Sequence, residues 1–113
     1  METANIQLVG ETVDAWLSED IFKSYPELDT ADFRQMVSAI MLTMEAAVPP
    51  ATTNELRARL REMDLDENVL VLAGTAISVL IEDGRLESSP DTKLVFHRPQ
   101  NDQYLDRVQA TQA

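Results

Sequence analysis

The chain has no cysteine, one histidine and only three glycines in 113 residues. Without cysteine there is no disulfide framework, no thiolate metal site and no thiol redox chemistry. The one histidine, His97, stands beside Arg98 with no serine pattern near it, so nucleophilic catalysis has no evident centre. No glycine-rich loop is present to cradle phosphates. The acidic turn Asp64 to Asn68 lacks the glycine and the distal glutamate of a calcium loop, so it reads as a solvated turn. Long apolar runs are missing too: the longest such region, Met36 to Val48, is interrupted by Ser38, Thr43 and Glu45 and is too short to span a bilayer. The start, Met1-Glu2-Thr3-Ala4, has no basic region ahead of an apolar run and is not a secretory signal. These absences lead us to expect a soluble, cytoplasmic protein that is not an enzyme and that binds neither cofactor, metal nor membrane.

Positive charge is the other scarcity. Nine Lys and Arg stand against 20 Asp and Glu, a net charge of -11 that repels a polyanion at long range. The distribution matters as much as the sum. Residues 1 to 32 carry only Lys23 as a base and residues 64 to 91 only Arg85, whereas Arg57, Arg59 and Arg61 fall together in one short segment.

What is present reads mainly as helix. Ile6, Val9, Val13, Trp16, Leu17 and Ile21 recur at helical spacing and predict an amphipathic helix over about 4–23, ended by Tyr25-Pro26. Thr30 or Asp29 caps a second helix over about 31–48, with Phe33, Met36, Val37, Ile40, Met44 and Val48 inward, and Pro49-Pro50 stops it. Met36, Met41 and Met44 read as core filler before they read as an adaptable groove. Thr52 and Glu55 match a capping box and open a third, short helix with Leu56, Leu60 and Met63 inward. Asp66 or Asn68 caps a fourth helix reaching Asp83, and Gly84 suits the left-handed position that closes it. Arg85 to Ser88 and Thr92 to His97 then predict two short strands around Ser89-Pro90-Asp91. Residues 98 to 113 are polar apart from Tyr104, Leu105 and Val108 and predict a tail or a short docked helix.

The order helix, short helix, helix, strand, turn, strand over residues 31–98 resembles the winged-helix superfamily. Its most specific piece is Ala76 to Glu87, which looks like that family's recognition helix, its closing glycine and the first wing strand; Leu86 agrees with the pattern and Arg85 departs from it. The resemblance implies a mainly helical fold with a small β-hairpin wing; it leaves the first 30 residues aside, where the periodicity adds an amphipathic helix. Three regions follow: residues 1–28 as N-terminal helix and connector, 29–98 as the winged-helix-like domain, and 99–113 as a polar tail.

In a helix-turn-helix the second helix of the pair enters the major groove while surrounding Lys and Arg hold phosphates. Projected at ~100° per residue, the outward sector of the fourth helix holds Val71, Thr75, Ser78 and Glu82. None is Arg, Lys, Asn or Gln, the side chains that make bidentate base contacts. Leu72, Ala76 and Val79 form a second apolar sector on that helix, to be covered by the N-terminal helix of the same chain or by another chain.

Two function classes are therefore weighed. In the first, the protein is an adaptor, regulatory subunit or host-factor binder that acts through protein contacts. Trp16, Leu17, Leu72 and Val79 are the candidate interface, in a homodimer or a larger complex, and the acidic faces meet a basic partner or mimic nucleic acid. In the second, it is a dimeric winged-helix DNA-binding regulator that grips phosphates with Arg57, Arg61, Arg85, Lys93 and Arg98. The bland account of the same arginines is pairing with Glu55, Glu62 and their neighbours on a solvated face.

Overall fold

The computed structural model describes residues 10, 11, 13–17, 21–89 and 93–97. Helix α1 is described at residues 10, 11 and 13–17. There follow a helical turn α2 (Ile21–Ser24), a 3-10 turn (Pro26–Leu28), α3 (Ala31–Met44), α4 (Thr53–Glu62), α5 (Glu67–Leu70) and α6 (Ala73–Glu82). Strands β1 (Leu86–Glu87) and β2 (Val95–Phe96) close the order as a two-stranded antiparallel sheet, with Leu86 opposite Phe96 and Glu87 opposite Val95. The molecule is mainly helical with a small hairpin, as expected. Residues 1–9, 12, 18–20, 90–92 and 98–113 lie outside the description, and with them most of the expected turn at Ser89-Pro90-Asp91, the expected tail and Arg98.

Helix α3 is the centre of the fold, packed against α4, α5, α6 and β2. Its start is set by Thr30, whose hydroxyl accepts the Phe33 amide at 3.1 Å. Phe33, Met36, Val37, Ile40, Met41 and Met44 are all buried along one broad side of the helix, so the methionines are core. The two polar side chains it buries are satisfied locally: Ser38 Oγ donates to the Arg34 carbonyl at 3.0 Å and Thr43 Oγ1 to the Ala39 carbonyl at 2.7 Å.

The helix ends four residues earlier than expected, at Met44, with the Glu45 amide returning to the Met41 carbonyl. Val48, expected to face inward, is 73% exposed. Pro49 disfavours helical geometry at the residue before it, and the chain leaves the helix early to turn toward α4.

Helix α4 opens on the anticipated pair. Thr52 Oγ1 accepts the Glu55 amide at 3.1 Å, while the Glu55 carboxylate reaches back to the Ala51 amide at 2.7 Å, one residue ahead of the usual partner. Asp66 caps α5 through the Asn68 amide at 3.0 Å. The single fourth helix expected from the sequence is divided: residues 71 and 72 form a turn between α5 and α6, though the backbone there stays near helical values. At the end of α6, Gly84 adopts φ 79°, its amide bonds to the Ile81 carbonyl at 3.1 Å, and the Arg85 amide bonds to the Leu80 carbonyl at 2.9 Å. This is a Schellman closure, and the left-handed glycine turns the chain into β1.

Both strands are shorter than expected, but the pairing extends past them. The His97 amide donates to the Arg85 carbonyl at 2.9 Å, and the Leu94 amide donates to the Ala51 carbonyl at 2.9 Å. The second contact ties the hairpin to the residue just ahead of α4. Val13, Leu17 and Ile21 are fully buried in the same cluster as Leu56, Leu60, Ala76, Ile77, Leu80 and Leu86, so the N-terminal helical segments complete the core.

Candidate interaction surface

The four residues first considered for a protein interface part company in the structure. Leu17 and Val79 are buried in the chain's own core. Their side chains are used up by intramolecular packing, because the N-terminal stripe finds its apolar partners in cis. Trp16 and Leu72 are half-buried and pack against that core.

Trp16 is engaged on two sides. Its ring meets Phe96 edge-on, with centroids 5.6 Å apart, and the Arg85 guanidinium lies 4.3 Å from its centroid. Arg85 also pairs with Asp83, and its side chain is only 11% exposed. Arg85 thus has a physical role: its guanidinium lies over the tryptophan and joins α1 to the start of the hairpin.

A second arginine performs the matching task at the other end. Arg34 on α3 bonds Asp29 at 2.5 Å and Asp14 of α1 at 3.1 Å, with its guanidinium 4.6 Å from the centroid of Phe22. Burial works against its charge, but the bonds to Asp29 and Asp14 more than offset this and raise its pKa above the ordinary value. Hydrogen bonding toward the Glu82 carboxylate first, then burial, then the charges of Glu82, Asp83 and Glu27 push the Tyr25 phenol above its usual range.

The cations considered for phosphate contact are likewise divided. Arg57 and Arg61 on α4 and Lys93 beside the hairpin are exposed. Arg57 lies against the start of α6, its Nη2 only 3.4 Å from the point where a side chain on Gly74 would begin. Arg59, on another side of α4, donates to the Val48 carbonyl and holds the exposed loop after α3. Arg85 is drawn inward, as described. At the hairpin, His97 Nε2 and Glu87 Oε1 are 2.8 Å apart, both exposed.

The outer side of α5 and α6 is formed by Glu67, Val71, Thr75, Ser78, Ile81 and Glu82, all exposed. No base stands among them. The one exposed amide side chain in these two helices, Asn68, sits in the first turn of α5 between Glu67 and Val69. Val71 is 71% exposed, a feature the sequence pointed to by placing this residue in the outward sector.

An open recess of about 320 Å³ lies between the ends of α3 and α4, lined by Leu42, Thr43, Ala46, Arg59, Glu62 and Met63. Among the described residues no three His, Asp or Glu side chains are grouped to hold a metal ion, and no helix is long and apolar enough to cross a membrane. Compared with known proteins, the chain matches no family model, and no curated protein or solved structure is found to be similar to it.

Proposed function

We propose that this chain is a winged-helix-type domain that works through protein contacts, as an adaptor, regulatory subunit or host-factor binder, and carries out no catalysis. The element order α3, α4, α5–α6, β1, β2 supports the winged-helix part, as does the bond between Leu94 and Ala51 that sets the hairpin beside the start of α4. One observation carries the protein-contact part. The helix that such a fold turns toward base pairs exposes Val71, Thr75, Ser78, Ile81 and Glu82, with an exposed acid at each end and no basic side chain. Such a surface offers no Arg, Lys, Asn or Gln for bidentate base contacts and no cation for phosphates, only the hydroxyls of Thr75 and Ser78.

A second reading has its own observation. Arg57, Arg61 and Lys93 are exposed, and a DNA-binding regulator would use them to hold phosphates from α4 and the hairpin. Arg85 is not free to join them.

Gel shift with mixed-sequence duplex at low salt separates the two. Absence of binding at micromolar protein, unchanged by Arg57→Glu with Arg61→Glu, supports the protein-contact reading. Salt-sensitive binding abolished by those substitutions overturns it.

A further inference from the structure

We infer that the outer strip of α5 and α6 seats a helical segment of a partner protein, one with small or aliphatic residues on its contact side and Lys or Arg at both ends. This rests on the protein-contact reading above and names the occupant. Three features of the strip lead to it.

First, Val71 is 71% exposed and Ile81 38%, whereas the core aliphatic side chains are almost wholly covered. Second, Thr75, Ser78 and Glu82 lie on one side of α6 at intervals of three and four, and Val71 stands in the turn just before that helix. Between the two aliphatic residues the exposed side chains of α6 are the small ones of Thr75 and Ser78, so a partner can come close there.

Third, the charge at both ends has one sign. Glu67 precedes Val71 and Glu82 closes the strip, both exposed; Asp83 beyond it is paired with Arg85, and Arg57 stands at the Gly74 flank.

Charge selects among possible occupants. A second copy laid antiparallel on the same strip would set Glu67 of one chain against Glu82 of the other, and a parallel copy would set like acids against like. Either arrangement also joins two chains of net charge -11. A helix with basic ends meets opposite charge at both places. The apolar patch is small, so the binding is of micromolar strength and weakens with salt.

The test uses the full-length, isotope-labelled chain and a synthetic peptide that is helical, carries Leu and Ala on one face and has Lys at both ends. A peptide of the same composition in scrambled order is the control. Saturable binding with amide shifts centred on residues 67–82 is expected. It should weaken about tenfold or more with Val71→Asp, and again with the pair Glu67→Lys and Glu82→Lys, while circular dichroism stays unchanged.

Three results overturn the proposal. In the first, the scrambled peptide binds equally well or the shifts centre elsewhere. In the second, the wild type sediments as a dimer that Val71→Asp dissociates, which makes the occupant a second copy. In the third, the strip becomes reactive to peptide only after removal of residues 99–113, which makes it the chain's own tail. Duplex DNA titrated in parallel keeps the two levels apart: binding lost with Arg57→Glu removes the protein-contact reading itself, whereas silence toward both DNA and peptide removes only this occupant.

Discussion

Leu17→Ala is the sharpest test of where the N-terminal helix spends its apolar stripe. Leu17 is fully buried, as are Val13, four residues before it in the chain, and Ile21, four residues after it. Truncating a leucine in such a position costs about 2–5 kcal/mol, the transfer of its methyl groups plus the cavity left behind. We take about 3 kcal/mol, toward the lower end of that range. Against a denaturant slope of about 2 kcal/mol per molar urea, that loss moves the unfolding midpoint down by about 1.5 M. Urea denaturation followed by circular dichroism reads the shift, and sedimentation at two protein concentrations reads association. A midpoint lowered by that amount with no change in sedimentation is the expected result. A midpoint moved by less than about 0.3 M, together with a loss of self-association, refutes the reasoning, for it would place Leu17 between chains rather than inside one.

Four further outcomes follow from particular contacts. Thr52→Ala removes the oxygen that accepts the Glu55 amide and should lower stability by about 1 kcal/mol in urea melts, with Glu55→Ala adding less than a second full increment because the two bonds support one turn. Gly84→Ala forces a side chain into the left-handed region and should cost about 1–2 kcal/mol, whereas Gly84→Asn should cost less. Arg85→Gln should change the fluorescence of Trp16, the single tryptophan, and lower stability by about 1 kcal/mol, an effect absent when Trp16 is already Leu. Tyr25 has its pKa raised above 10.0, so its native state holds the phenolic proton more tightly than the unfolded chain does. The stability this supplies is fully present below pH 10.0 and is lost as pH rises through the raised value; in melts across that range, Tyr25→Phe should flatten the alkaline decline.

Much of the local structure was readable from neighbouring residues. Thr30 and Thr52 announce helix starts because their hydroxyls meet amides three residues ahead, and Gly84 announces a stop because few other residues take its backbone angle. Periodicity was equally informative for α3, whose inward residues lie in the core up to Met44. It misplaced Val48, since the helical period was continued into a stretch that Pro49 had already released. It also joined α5 to α6, because the turn at residues 71 and 72 stays close to helical geometry.

The candidate surface was legible in part. Val71, Thr75, Ser78 and Glu82 could be assigned to the outward sector because a helix with a known inner side leaves only one other. The flank was not legible in the same way: Leu17 and Val79 had the pattern of residues waiting for a partner, and pattern does not say whether the partner is in the same chain.

What the sequence determines by itself is therefore the mainly helical class, the caps at Thr30, Thr52 and Gly84, the hairpin and the shortage of positive charge on α6, all consequences of interactions spanning a few residues or of composition. Only the tertiary structure decides that Val13, Leu17 and Ile21 belong to the same core as Val79 and Leu80, and that Arg85 folds inward over Trp16 to pair with Asp83. Those outcomes depend on contacts between residues far apart in the chain. A local pattern prescribes that an apolar face be covered, and the packing of the whole fold selects what covers it.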